Sequence, residues 1–207
     1  MKIKSGQLPE FHMDVLKEIG NIGSGHAATA LSRLLNKPID IQVPQVRFLP
    51  FEEILEMMGG AEHVVVAIYL RVEGESSGHL FFLIEPSSAR EMLRSLAGID
   101  TGCGETYSEL EISALCEIGN ILAGSYLSSL ADFTRLAMTP TVPAMAVDMA
   151  GAVLSWGLMQ YGVMGDYALL IDTSFFEGRK RMEGRFLLIP DPGSFESMFK
   201  ALGVPVE

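Results

Sequence analysis

The chain has 207 residues, of which 48% are hydrophobic, and its 15 basic and 26 acidic side chains give a net charge of −11. So acidic a surface argues against nucleic acid and anionic membranes as partners, because there is little cationic charge to displace their counterions. No stretch approaches the roughly 20 apolar residues needed to span a bilayer, and residues 1–7 lack the apolar stretch of a signal peptide. We therefore expect a soluble cytoplasmic protein without membrane insertion.

The first half of the chain has the pattern of a long helix, a strand, a short helix, a hairpin and a closing helix. Apolar residues recur at helical spacing over 13–35, and Pro38 follows the expected helix end. Residues 39–48 have strand character and 51–58 predict a short helix. Strands are predicted at 64–72 and 78–84 around a polar turn, and an amphipathic helix at 87–96.

The second half repeats this order of elements. It predicts a helix over 108–135, a strand over 142–147, a short helix from Asp148, strands at 167–173 and 185–189, and a helix over 194–202. Its hairpin is longer, by the insertion 175–181, and the polar, glycine-containing segment 98–106 is the expected linker.

A tetrapeptide within the first long helix recurs within the second. Glu18-Ile19-Gly20-Asn21 returns 99 residues later as Glu117-Ile118-Gly119-Asn120, and the surrounding 18 positions share 8 identities. Val43-Pro44 recurs as Val142-Pro143 at the same offset, and residues 78–86 resemble 184–192 at an offset of 106. The chain is therefore an internal duplication.

Two copies are too few for a solenoid, so we expect a closed body with pseudo-two-fold symmetry. We predict a single domain, 1–207, made of two repeats at about 1–100 and 101–207. Its fold class is α/β, with two long helices packed on antiparallel β-strands. The duplication fills the role of a homodimer, which favours a monomer, although an exposed sheet edge can still pair.

Each repeated Glu-Asn pair lies on a stripe of small and polar residues. At about 100° per residue, Glu18 and Asn21 are separated by about 60° on one helix face. The first stripe continues through Asp14, Gly25, Thr29 and Ser32, and the second comprises Ser113, Glu117, Asn120, Gly124, Ser128 and Ala131. Glycine inside a helix costs about 1 kcal/mol relative to alanine. The four glycines Gly20, Gly25, Gly119 and Gly124 therefore predict close approach of another backbone, from the other long helix or from a partner protein.

A carboxylate and a carboxamide one turn apart lack a nucleophile, but they can assist chemistry that another molecule has assembled. A carboxamide donates and accepts hydrogen bonds at once, so it can orient an attacking water, as a glutamine does in GTPases. The glutamate is then a docking or ion-pairing group. Two other readings stay open, a chance pair on a solvated helix and a phosphate-binding loop at residues 20–25.

The cysteines and histidines show no pattern of a disulfide scaffold or a metal site. Cys103 and Cys116 are too few for a scaffold and have no ligand spacing with His12, His26, His63 and His79. We therefore expect no cofactor of the chain's own.

The doubled motif resembles the signature of the CheC/CheX/FliY family of chemotaxis phosphatases, and two sites on one chain of this length are typical of its CheC-type members. The signature appears as Asp14-x-x-x-Glu18-x-x-Asn21 and as Ser113-x-x-x-Glu117-x-x-Asn120. The resemblance covers nearly the whole chain. It implies an α/β fold of two pseudo-symmetric halves with both long helices exposed on one side.

The resemblance also implies an activity, hydrolysis of the aspartyl phosphate on the response regulator CheY. Asn21 and Asn120 are implied to orient the attacking water, and Glu18 and Glu117 to engage the active-site lysine of the regulator. The Mg²⁺ is implied to belong to CheY. A second implied partner is the receptor deamidase CheD, bound near the short helix at Asp148, which makes a monomer or a heterodimer with CheD the expected state.

Both sites keep the full motif, so both are predicted to be competent, although their surroundings differ. Gly23 and His26 accompany the first pair, and Leu122 and Ser125 the second. The alternatives are a module that sequesters phosphorylated CheY or regulates CheD, a structural component of a flagellar switch, and a small-molecule enzyme. The last is the weakest, because no nucleotide fingerprint is present.

Overall fold

A computed structural model of the chain describes residues 10–101, 106–159 and 167–203, apart from the side chains at 156–159 and 195. The first half contains α1 (Glu10–Leu35), β1 (Asp40–Gln42), β2 (Val46–Pro50), α2 (Phe51–Met57), β3 (Val64–Gly74), β4 (Gly78–Ile84) and α3 (Pro86–Met92), which continues as a π-helical turn, Leu93–Ala97. The second half contains α4 (Glu109–Thr134), β5 (Met138–Pro140), β6 (Ala144–Met149), α5 (Ala150–Met159), β7 (Tyr167–Glu177), β8 (Lys180–Pro190) and α6 (Pro192–Ala201). None of the helices so described is long and apolar enough to cross a membrane.

All the described strands join in one antiparallel sheet, in which the two halves exchange their edge strands. The hairpins β3–β4 and β7–β8 meet at the centre, where β4 pairs with β8. At one edge β1 and β2, from the first half, pair with β7 of the second half. At the other edge β5 and β6, from the second half, pair with β3 of the first. Each half therefore completes the sheet of the other.

The register of the central pair reveals the pseudo-two-fold axis. Phe81 of β4 lies opposite Leu187 of β8, and these residues are separated by the repeat offset of 106. On either side, His79 pairs with Ile189 and Leu83 with Arg185, and the same offset converts one pair into the other. The axis therefore passes between Phe81 and Leu187, both of which are buried.

The two faces of the sheet have different helical cover. Side chains that alternate along each strand face opposite ways, so that Val66, Ile68 and Leu70 of β3 pack with α1, α3, α4 and α6. Val65 and Ala67 of the same strand instead join α2 and α5 on the second face. Each fully buried large apolar side chain contributes about 1.5–3 kcal/mol, and the first face holds most of them.

The predicted fold class is confirmed, while several element boundaries were wrong. The single strand predicted at 39–48 is divided into β1 and β2 by Val43-Pro44-Gln45, because Pro44 has no N–H to give to a ladder. Strand β5 has only three residues and was missed. The insertion at 175–181 lengthens both strands of its hairpin, which turns at Gly178 with φ of 60°.

The short helix was expected from Asp148, but Asp148 belongs to β6, where it lies opposite Val65, and α5 begins at Ala150. The ladder to β3 extends through Met149 and keeps this segment extended. Part of the predicted linker, with Cys103, lies outside the described residues.

A histidine without an assigned role is buried on the second face. His79 is 1% exposed, and its Nε2 accepts a hydrogen bond from Arg71 Nη1 at 2.8 Å, because a guanidinium can only donate. Its Nδ1–H then donates to the Tyr69 hydroxyl oxygen at 2.9 Å. Burial, followed by the charge of Arg71, lowers the pKa of His79. The imidazole is therefore a neutral part of a packed network rather than a reactive group.

Candidate functional site

The two long helices present both Glu-Asn pairs on their outer faces. Leu16 and Ile19 of α1 are buried toward the sheet, whereas Glu18 is exposed and Asn21 half-buried. The copy on α4 has the same arrangement, with Glu117 exposed and Asn120 half-buried. One turn earlier, Asp14 and Ser113 are also exposed. Both pairs are therefore accessible to a docked protein, while Asp148 lies apart from them on edge strand β6.

The start of α4 is fixed by a reciprocal cap. Ser108 Oγ accepts the backbone N–H of Glu111, and the Glu111 carboxylate accepts the backbone N–H of Ser108 at 2.7 Å. These hydrogen bonds lower the pKa of Glu111. Such a capping box contributes about 1 kcal/mol to helix stability. It holds the first turn of the helix that carries Glu117 and Asn120.

The two long helices approach each other closely at Gly23, a glycine that the sequence analysis did not single out for packing. A methyl group added at Gly23 would lie 2.8 Å from Tyr126 Cδ1 and 3.0 Å from Tyr126 Cα. Gly23 and its counterpart Leu122 are both buried. They therefore belong to the packing between the helices. The expectation that they border the Glu-Asn pairs was wrong.

The four glycines predicted to meet another backbone behave in two ways. A methyl group at Gly20 would lie 3.3 Å from Val43 Cγ1, and one at Gly119 would lie 2.8 Å from Ile68 Cγ2, so both approach side chains. Beside Gly25 and Gly124 there is nothing within 4 Å. No packing within the described chain therefore compensates the cost of these two glycines, each one turn beyond its asparagine.

The surroundings of the two asparagines differ. Asn21 Oδ1 accepts a hydrogen bond from the backbone N–H of Val43, at 3.2 Å. Asn120 has no side-chain hydrogen bond to any described residue, and Val142, the counterpart of Val43, is 88% exposed. The two sites share a motif, but only the asparagine side chain of the first is hydrogen-bonded to a described residue.

A pair of exposed apolar side chains was missed by the sequence analysis. Phe11 of α1 is 69% exposed, and Leu110, its equivalent at the offset of 99, is 65% exposed. Phe11 precedes Glu18 by two turns and therefore shares its face of the helix. The repeat offset was the signal that could have identified them. Large apolar residues exposed at equivalent positions favour contact with another molecule.

No further reactive group accompanies the pairs. Cys116 precedes Glu117, but burial raises its pKa, so its thiol is protonated and a poor nucleophile at neutral pH. Residues 20–25 lie in the middle of α1, where helical hydrogen bonds occupy their N–H groups, so the phosphate-loop reading is wrong. Among the described residues, no group of three or more Cys, His, Asp or Glu side chains has a geometry suited to a metal ion.

A polar cleft of about 730 Å³ lies on the opposite face of the sheet. Val65 and Leu83, which belong to the second face, line it. Its charged groups pair with one another, since Asp172 accepts hydrogen bonds from both Arg47 and Arg185. The cleft is therefore separate from the Glu-Asn sites, which lie on shallow helix surfaces suited to a protein rather than to a small molecule.

Comparison with known proteins identifies the family. The profile of the CheC-like family matches twice, at residues 11–47 and 110–146, which are separated by the repeat offset. The CheY-P phosphatase CheC of Bacillus subtilis (strain 168) is 43% identical over 207 residues, spanning 98% of this chain and 99% of that protein. The chain belongs to the CheC-like family. The flagellar motor switch phosphatase FliY of the same organism is 34% identical over 59% of the chain and 32% of that protein.

Solved structures support the fold of this CheC-like chain. Thermotoga maritima FliY superposes with a TM-score of 0.71 at 19% identity, covering 95% of this chain and 98% of the other. The FliM middle domain from H. pylori gives 0.70 at 15% identity, covering 94% and 99%. At these identities the similarity establishes the fold alone.

Proposed function

We propose that the chain is a protein phosphatase that accelerates hydrolysis of the aspartyl phosphate on phosphorylated CheY. The observation that carries the proposal is the duplicated Glu-Asn pair, exposed on equivalent faces of α1 and α4. The name of the Bacillus subtilis relative, a CheY-P phosphatase, supports this choice of substrate. A cytoplasmic location is proposed together with this activity.

The residues have separate roles in this proposal. Asn21 and Asn120 orient the attacking water toward phosphorus, which is the kind of assistance a carboxamide gives in phosphoryl transfer. Glu18 and Glu117 form an ion pair with the lysine of the regulator's active site, and Asp14 and Ser113 border the docked surface. The regulator supplies Mg²⁺ with its phosphoryl group, so the chain needs no cofactor of its own.

The shape of the stripes supports docking of a protein. Phe11 and Leu110 offer apolar contact two turns before the glutamates, at equivalent positions of the two repeats. Gly25 and Gly124 leave open space one turn beyond the asparagines. A partner backbone that enters this space explains why glycine is found at these two helical positions, one exposed and one half-buried.

The decisive test separates catalysis from sequestration. Purified CheY carrying ³²P-phosphate is mixed in excess with the protein, and loss of label is followed with Mg²⁺ present. A phosphatase releases many equivalents of phosphate per protein molecule. A sequestering module instead retains the label on bound CheY and releases no more phosphate than CheY alone, and that result would overturn the proposal.

Alanine at the open glycines is expected to affect stability and activity in opposite directions. The double variant Gly25→Ala and Gly124→Ala meets no atom within 4 Å, so each change stabilises its helix by about 1 kcal/mol. The added methyl groups obstruct the docked regulator, and we expect CheY-P hydrolysis to fall several-fold. Thermal unfolding and the labelled-CheY assay measure the two effects, and unchanged hydrolysis would exclude close docking at these glycines.

We further propose that CheD binds at the β6 edge. Asp148 is exposed there and lies opposite Val65. Val147, Met149 and the paired Val64, which are 43%, 44% and 46% exposed, lie on the other face of the sheet edge. A partner strand that pairs with this open sheet edge contacts the apolar side chains on one face and the acidic side chain on the other. On this view the chain is a monomer alone and a heterodimer with CheD.

The variant Asp148→Arg is expected to weaken binding of purified CheD by about tenfold, because it reverses a charge within the contact. Asp40→Arg, at an exposed position of β1 at the opposite edge, makes the same change of charge and serves as the control. Calorimetric titration with CheD measures both variants. Equal affinities would place CheD elsewhere on the molecule.

A further inference from the structure

One backbone group distinguishes the two asparagine sites. The N–H of Val43 donates to Asn21 Oδ1 at 3.2 Å, and Val43 is 2% exposed. Gly20 permits this approach, because a methyl group there would lie 3.3 Å from Val43 Cγ1. The connection between β1 and β2 therefore lies directly against α1 at the motif.

This hydrogen bond fixes the orientation of the Asn21 side chain. A backbone N–H can only donate, so the atom that receives it must be the carboxamide oxygen, and the NH₂ group is left for other partners. Holding one end of the amide also removes most of its rotational freedom. The asparagine at site one is thus oriented before any regulator binds.

Site two lacks this support although its sequence is the same. Val142-Pro143 corresponds to Val43-Pro44, yet Val142 is 88% exposed and Asn120 has no hydrogen-bonded side-chain partner among the residues described. Asn120 must therefore lose its rotational freedom when the regulator docks. The difference comes from packing of the strand connection and not from the motif.

The geometry points to the backbone N–H of Val43 as a positioning group for Asn21, which makes site one the faster of two unequal phosphatase sites. The inference rests on the proposed function. Pre-orientation favours the step in which water attacks and contributes little to affinity for the regulator. The difference is therefore expected in kcat, by roughly three- to tenfold, with KM similar at both sites.

Single-site proteins test the inequality directly. Asn120→Ala leaves only site one and Asn21→Ala leaves only site two, and each is assayed with phosphorylated CheY over a range of concentrations. We expect a kcat roughly three- to tenfold higher for site one. Equal kcat values, or a faster site two, would overturn the inference. Activity retained by the double variant would instead overturn the proposed function itself.

A matched pair of proline substitutions tests the hydrogen bond. Val43→Pro, made in the Asn120→Ala protein, removes the N–H, and Val142→Pro, made in the Asn21→Ala protein, is the same change at the exposed counterpart. We expect kcat to fall only for Val43→Pro. Val43→Ala keeps the N–H and should recover the rate, whereas equal losses for alanine and proline would indicate packing alone and contradict the role.

Loss of the fold in Val43→Pro would be recognised by circular dichroism and thermal unfolding. In that case the amide between Gln42 and Val43 is replaced by an ester in the Asn120→Ala protein, which deletes the N–H while keeping the valine side chain. A lower kcat with unchanged KM supports the positioning role. An unchanged kcat in the folded ester overturns it.

Discussion

Replacement of both Asn21 and Asn120 by alanine is expected to return CheY-P hydrolysis to the rate of CheY alone, while the protein stays folded. A positioned group that acts only at the reacting centre commonly contributes about 100-fold or more in rate. The folding cost is small, because Asn21 makes one hydrogen bond to Val43 and Asn120 makes none with the described residues. One such bond is worth about 1 kcal/mol.

Release of label from CheY gives the rate, and thermal unfolding gives the stability. The control is the double variant Thr29→Ala and Ser128→Ala, which removes exposed polar side chains from equivalent positions of the same two stripes. That control should keep most of the activity. If the folded asparagine double variant still accelerates hydrolysis, the carboxamides are not required for the reaction.

The second large effect is expected when the halves are separated. Residues 1–101 and 102–207, made as independent chains, should each fail to fold as a monomer. The first half would lose β7, on which β1 and β2 pair, and the second would lose β3, on which β5 and β6 pair. Each would also expose its side of the β4–β8 seam, with Phe82 or Phe186 unburied.

Near-ultraviolet circular dichroism and amide NMR spectra measure this loss of structure. Mixing the two chains should restore the native spectrum, because the exchanged strands then find their partners. A full-length chain cleaved between the halves after folding is the control and should remain associated. A half that unfolds cooperatively as a monomer would contradict the exchange of edge strands.

Much of the fold was predictable because it follows from local pattern and from the repeat. The helical spacing of apolar residues in α1 and α4, and the short apolar runs of β3 and β4, survive in the structure. The exchange of edge strands was not predictable, since β2 has the same residues and the same pattern whichever hairpin it joins. Pairing partners are decided by packing over long distances in sequence, and a single sequence does not record them.

The site was predictable in part for a related reason. Exposure of Glu18 and Glu117 follows from the polar stripe, because opposite faces of an amphipathic helix differ in burial. The anchoring of Asn21 by Val43 involves a backbone group, which has no signature in sequence. Phe11 was overlooked because the predicted helix began at residue 13, whereas α1 begins at Glu10.

The exchanged strands suggest how such a molecule could arise. One copy of the repeat has no partner for its own edge strands, so it would close the same sheet only as a homodimer that swaps them. Fusion of two copies converts that dimer into one chain. The two halves can then differ in sequence, so their surfaces need no longer be identical. The two halves do differ, since Val43 is buried and its counterpart Val142 is exposed. A fused ancestor can specialise one surface while the other preserves the original activity.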